Sequence, residues 1–186
     1  MLQSELDETA SDWRNGLILF HAPSGGALDL WTFDETSRSV TEITRGGFNE
    51  FGGRWSPDGD LMAYVSDESG RPDVYVEPWP QSGDRVRVSF AGGTRPEWAA
   101  DGRTLFFLRD GRLMRAELRP APQQDPPFAF SAPVAAIDAQ DLRDYSPAHD
   151  TNRVLVIAPL PRAAAPTAGV ILNWAGRRDT VNGRAP

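Results

Sequence analysis

The chain has no cysteine and no lysine. The first absence rules out disulfides, a thiol nucleophile and cysteine-type zinc sites, but it fixes no compartment, since periplasmic proteins can also lack cysteine. The second leaves arginine as the source of all 19 basic side chains. No lysine is present to anchor a nucleotide phosphate, as P-loop proteins and kinases require, or to form a Schiff base. A lysine-free chain reads as compositional bias rather than as a functional device. Histidine is almost as scarce, with His21 and His149 the only two, and the Gly-x-Ser-x-Gly segment of a serine hydrolase is missing. No apolar run approaches the roughly 20 residues of a membrane-spanning helix. Positive charge is in deficit overall: the formal net charge is −7, so the average field repels a nucleic acid and argues against one as partner. Residues 1–12 carry Glu5, Asp7, Glu8 and Asp12 and no arginine, the reverse of the basic start of an export signal. The expectation is a cytosolic chain or one cut from a longer protein.

Turn residues and repetition are what the chain has in quantity. Its 186 residues include 17 Gly and 16 Pro and are 40% hydrophobic. That suits one all-β domain of many short strands, which would bury about 70% of its unfolded surface. Trp55-Ser56-Pro57-Asp58-Gly59 returns 43 residues later as Trp98-Ala99-Ala100-Asp101-Gly102. An apolar run follows each copy, Leu61 to Val65 and Leu105 to Leu108. Repetition at this period marks a β-propeller blade, which takes roughly 40–45 residues. Two more elements match without gaps at a spacing of 44: Leu17-Ile18-Leu19-Phe20 with Leu61-Met62-Ala63-Tyr64, and Asp29-Leu30-Trp31 with Asp73-Val74-Tyr75. A third unit turns at Asp110-Gly111 and places Leu113-Met114 where Val74-Tyr75 stood. A worn fourth keeps Tyr145-Ser146-Pro147, Val154 to Ile157 and Ala168 to Trp174.

Each unit is expected to form four antiparallel strands. In the second, the first strand ends near Trp55, and the others span about Leu61–Ser66, Asp73–Pro78 and Arg85–Phe90. Pro57-Asp58-Gly59 suits a tight turn, with Pro presetting φ, Asp bonding to its own backbone and Gly accepting positive φ. The predicted blades are 13–50, 51–92, 93–138 and 139–175, between an acidic lead at 1–12 and a polar tail at 176–186. Arg119 to Pro127 and Pro159 to Pro166 are expected as long loops.

The pattern Trp-Ser-Pro-Asp-Gly, apolar strand, Ser66-Asp67-Glu68-Ser69-Gly70, then Asp73-Val74-Tyr75-Val76 resembles the TolB-like, WD-repeat-like propeller repeat. Over residues 13–175 it is most similar to the propeller at the C-terminal end of certain bacterial serine/threonine protein kinases. There, runs like Asn49-Glu50-Phe51, Gly92-Gly93-Thr94 and Val170 to Trp174 recur. The resemblance implies an all-β propeller of four-stranded blades, about four of them present, as part of a larger ring. It also implies an extracytoplasmic placement if the chain is attached to a membrane kinase. The chain departs from the pattern at Trp13-Arg14-Asn15-Gly16 and at Ala148-His149-Asp150, and it holds no kinase lobe. An open ring would expose strand edges and favour self-association.

Large aromatics at repeat positions, Trp31, Tyr75, Trp55 and Trp98, are expected to pack between blades rather than stack a ligand. Asp58 with Gly59 and Asp101 with Gly102 read as turn formers, and Asp29 and Asp73 as carboxylates bonded to nearby backbone rather than to a metal. The two histidines fall in different units. Phe48, Asn49 and Glu50, Asp67 and Glu68, and Thr94 and Arg95 fall on one rim, where the resemblance places partner contacts. The function expected is a non-catalytic module for protein or peptide interaction, without a cofactor, serving as the sensor or scaffold part of a larger signalling protein such as a kinase. A propeller glycoside hydrolase or lyase and a periplasmic TolB-type envelope protein are the alternatives. The enzyme would need acids from several blades on inner strands, whereas the sequence puts most of its acids in turns.

Overall fold

Alternating apolar runs separated by Gly, Pro and Asp turns leave the chain few options but antiparallel strands. The computed structural model describes residues 8–81, 84–148 and 153–158 in full and 168–172 and 179–181 as backbone strands. It is all-β, with no helix among the described residues and hence none long and apolar enough to cross a membrane. The first sheet joins β1 (Thr9–Arg14), β2 (Leu17–Ser24), β3 (Ala27–Asp34) and β4 (Val40–Glu42) in sequence order. The second joins β5 (Glu50–Trp55), β6 (Leu61–Ser66), β7 (Asp73–Pro78) and β8 (Val86–Arg87). In the third, β9 (Thr94–Trp98), β10 (Thr104–Arg109) and β11 (Arg112–Pro120) carry a divided outer strand, β12 (Phe128–Phe130) and β13 (Val134–Ala135), both paired to β11. The fourth holds β14 (Asp144–Pro147), β15 (Val154–Ile157), β16 (Ala168–Leu172) and β17 (Asp179–Val181).

Several boundaries differ from the sequence reading. Strand β1 starts inside the acidic lead and β17 lies inside the polar tail. Polar sequence is acceptable in β1 because none of its residues is buried. The outer strand of the second blade shortens to Val86–Arg87, although the Val88 and Ser89 N–H groups still reach the Val74 carbonyl. Arg119 and Pro120 belong to β11 rather than to a loop, with Pro120 as its last residue, where a missing N–H costs no interior ladder bond. Pro159 to Pro166, His149, Asp150 and Trp174 lie outside the described residues.

First strands of successive blades touch one another, β1 with β5, β5 with β9, and β9 with β14. They therefore line the axis, and the blades fan outward from it. Each pair of blades closes on an apolar layer. Leu19 and Leu30 meet Met62, Tyr64 and Tyr75; Ala63, Val74 and Val76 meet Leu105, Phe107 and Met114; Phe106, Leu108 and Leu113 meet Tyr145, Val154 and Val156. Gly53 permits the first closure: a Cβ there would stand 2.5 Å from the Leu19 side chain. The β1–β2, β5–β6 and β9–β10 ladders each carry an irregularity in register, at Ala10/Asp12, Phe51/Arg54 and Phe106/Leu108. Such bulges re-aim the side chains that follow them.

Candidate functional site

Two surfaces are built where the blades meet: the turns that end each first strand, and the rim where the next first strand begins. At the turn end, the Ser56 carbonyl accepts from Gly59 N–H at 2.9 Å and Ser56 Oγ from Leu61 N–H at 3.0 Å. The Asp58 carboxyl is held below its ordinary pKa chiefly by the Ser56 hydroxyl. Asp101 accepts from the Arg103 and Thr104 N–H groups, each at 2.8 Å, and from the Thr104 hydroxyl. Pro57 and Gly102 complete the two turns, with Gly102 at φ 65°. Trp55 is buried edge-on to Trp79, and Trp98 donates its indole N–H to the Arg54 carbonyl of the preceding blade at 3.3 Å.

At the rim, most of the residues expected to meet a partner are bound to the protein itself. Asp67 accepts from the Asn49 backbone at 2.9 Å and its side-chain amide at 2.7 Å, while Asn49 Oδ1 accepts from Leu28 N–H at 3.1 Å. Glu50 is buried against Arg85 at 3.4 Å; the same guanidinium donates to the Tyr64 hydroxyl at 3.2 Å and pairs with Glu68. Burial raises the Glu50 carboxyl, opposed by the Thr44 hydroxyl and by Arg85. Thr94 opens β9 half-buried. Arg95 stands at φ 55° and pairs with Asp144 at 2.6 Å. Phe48, the one large hydrophobic residue of this set, is exposed.

Asp29 and Asp73 occupy equivalent positions but differ in environment. Asp73 accepts from Ser89 and Arg87 at 2.6 Å each, Ser69 at 2.7 Å and Gly92 N–H at 3.0 Å. Burial alone would raise its carboxyl, but these bonds together hold it below the ordinary range. Asp29 is equally buried, yet its Oδ1 has no partner, and burial leaves its carboxyl raised against the pull of Ser24. Trp31, opposite Glu42, likewise has an unpartnered indole N–H, and Tyr75 stacks on Tyr64 with ring centroids 6.2 Å apart. His21 packs near Phe51, and burial lowers its pKa. Among the described residues, no three His, Asp or Glu side chains come together as metal ligands.

A further grouping lies on the axis, where the sequence reading placed none. Arg54 on β5 donates to Glu97 on β9 at 2.8 Å and also to the Ser11 carbonyl on β1. Asp12 accepts from Trp55 N–H at 2.9 Å. Burial raises the Glu97 carboxyl, Arg54 opposes it, and the charges of Asp12 and Asp144 add to the rise. Ser11, Asp12, Arg54 and Glu97 border a cleft of about 540 Å³ whose lining also includes Trp13, Trp55 and Trp98 and reaches the turns at Pro57 and Ala100. Alongside the many acids that sit in turns, Asp12, Glu50, Glu97 and Asp144 lie on inner strands. A signal was available. In every unit, a charged residue directly precedes the aromatic of the first strand: Asp12-Trp13, Arg54-Trp55, Glu97-Trp98 and Asp144-Tyr145.

No family model matches the chain. A curated relative, the Tol-Pal system protein TolB of Alcanivorax borkumensis, is 36% identical over 83 residues, 42% of this chain. Tricorn protease homolog 1 of Streptomyces coelicolor is 33% identical over 140 residues, 68% of this chain. The chain spans only 19% and 12% of the length of these two relatives. A solved TolB-type structure from Agrobacterium tumefaciens superimposes with a TM-score of 0.65 at 17% identity, covering 89% of this chain and 60% of that one. Four sheets of sequential antiparallel strands, first strands gathered on one axis, and these likenesses give the chain a TolB-like β-propeller fold.

Proposed function

We propose that this chain is a non-catalytic β-propeller module for protein or peptide interaction, working as the sensor or scaffold part of a longer protein. The axial cleft carries the reading. At its centre Arg54 pairs with Glu97, polar groups and three tryptophans line it together, and Trp13 is 69% exposed beside it. An exposed ring beside fixed polar groups suits a docked peptide, since rigid rings add contact area at low entropic cost. Attachment to a signalling kinase rests on the similarity at Asn49-Glu50-Phe51 and Gly92-Gly93-Thr94, whereas the relatives named above are a TolB protein and a protease homologue. A TolB-type envelope role draws on the first of these.

Replacing Trp13 by a photo-crosslinking amino acid tests the reading. A discrete polypeptide should be captured and then competed away by excess unmodified chain. Turnover of a small substrate that disappears in Glu97→Gln would overturn it. One observation favours that second reading, a propeller glycoside hydrolase or lyase: the Glu97 carboxyl is raised by burial with Asp12 and Asp144 nearby, as a general acid among carboxylates would be.

A further inference from the structure

The β6–β7 and β10–β11 hairpins and the links that precede β9 and β14 form one continuous rim: Gly93 N–H donates to the Pro72 carbonyl at 3.0 Å and Leu142 N–H to the Gly111 carbonyl at 2.8 Å. The acids of this stretch are mostly engaged, Asp67 by Asn49, Glu68 by Arg85 and Asp144 by Arg95. Four of its arginines are not. Arg71, Arg109, Arg112 and Arg143 make no ion pair among the described residues; three of them are exposed and Arg109 is half-exposed. Against them stand the exposed Asp110, Asp138 and Asp141. The opposite end of the blades is acidic, with Asp58, Asp60, Asp84 and Asp101 in its turns. In a chain of net charge −7, four arginines without an ion pair thus share one rim. In the link that precedes β9 on the same rim lies Phe90, 64% exposed, with the Arg87 guanidinium 5.1 Å from its ring centroid and itself fixed by Asp73.

We infer that this rim docks an acidic peptide segment: its carboxylates pair with Arg71, Arg109, Arg112 and Arg143, and an apolar side chain packs on Phe90. Arginine suits the role because its planar fork takes a carboxylate in two parallel bonds, and an exposed aromatic framed by such cations is the composition of an interface hot spot. The inference rests on the interaction reading above and names the chemistry of a partner.

Fluorescence anisotropy with the full chain tests it. The probe is a short labelled peptide of Asp, Glu, Gly and Phe, compared with a counterpart in which every acid is lysine. The acidic probe should bind at least about tenfold tighter than the basic one and lose affinity as salt rises. The double variant Arg71→Glu with Arg112→Glu should weaken it by about tenfold and Phe90→Ala by several fold, whereas Arg103→Glu, at the acidic end, should leave it unchanged. Equal binding of the two probes, or equal weakening by Arg103→Glu, would overturn the inference. Crosslinking from position 13 that captures a partner while the acidic probe fails to bind would remove the rim site and leave the interaction module standing.

Discussion

Asp29 and Asp73 stand at the same place in successive blades, so the same substitution should have opposite consequences. Asp73 accepts four hydrogen bonds, one of them from the Arg87 guanidinium. Replacing it with asparagine turns one acceptor oxygen into a donor and removes about two of those bonds. At about 1.5–3 kcal/mol for each bond to a charged group, Asp73→Asn should cost roughly 3 kcal/mol or more. For a chain of this size, that lowers the melting temperature by about 6–12 °C. Asp29 has an unpartnered Oδ1, because Glu42 faces Trp31 at the position where Arg87 faces Tyr75. Asp29→Asn removes a buried charge and should be neutral or stabilise by up to about 1 kcal/mol. Glu42→Arg should supply the missing cation and stabilise by about 1 kcal/mol, since the lost partner Arg45 is 84% exposed.

The pH dependence separates the two carboxyls further. Asp73 is lowered in the fold, so its stabilisation is present above the unfolded value near 3.9 and is lost as pH falls through the lower folded value. Asp29 is raised, so its ionisation opposes folding once pH rises past the unfolded value, and in full above the folded one. Thermal and urea unfolding of the three variants from neutral to acid pH would measure both effects. Equal destabilisation by Asp29→Asn and Asp73→Asn would refute the reasoning.

Arg85→Met should leave the Glu50 carboxyl and the Tyr64 hydroxyl facing no cation and cost roughly 2 kcal/mol, less than for a fully buried pair because Arg85 is about one-third exposed. The loss should shrink in acid as Glu50 takes up a proton, and a loss that grew on acidification in urea titrations would contradict it. Leu155 and Ile157 are 40% and 45% exposed on one face of β15, opposite Val154 and Val156, which pack on the third blade. Leu155→Glu with Ile157→Glu should shift any concentration-dependent association toward monomer in sedimentation velocity, and an unchanged distribution would exclude this face from it.

Local pattern revealed the fold, because a blade is a local object. Leu61–Ser66 and Asp73–Pro78 could be read from apolar alternation and turn residues with no knowledge of their neighbours. Elements set by pairing alone were less legible. The divided outer strand of the third blade follows from how β11 is bonded on its far side, and Pro120 in a Pro-rich stretch looked like loop. The axial grouping was hidden for a different reason. Arg54 and Glu97 hold equivalent positions, but strict alternation does not say that a bulge precedes each of them or that they then meet across two blades. Rim residues were legible as a location but not as contacts: the chain order shows Asn49 and Asp67 in neighbouring loops, and only the folded rim shows them bonded to each other.

Departures from the repeat carry more about function than its conserved positions do. The place held by Asp29 and Asp73 in the first two blades is held by Arg112 in the third, as the registers Ser66 with Asp73 and Arg109 with Arg112 show. In the second blade, that position fastens the hairpin to the next link through Ser89 and Gly92. In the third, the Gly111 carbonyl accepts from Leu142 N–H, and a Cβ on Gly111 would come within 3.0 Å of Asp141. The second blade has the equivalent backbone bond, Gly93 N–H to the Pro72 carbonyl, in addition to its carboxylate, so the third hairpin is fastened by the backbone bond without one. A side chain released from that task can reverse its sign without cost to the hairpin, and Arg112 is exposed with no ion pair among the described residues. Placing an aspartate there should leave stability within about 0.5 kcal/mol of the parent, as for a surface substitution. Arg112→Asp should nonetheless weaken the acidic probe, and a loss of stability comparable to that of Asp73→Asn would show that the position still serves the hairpin.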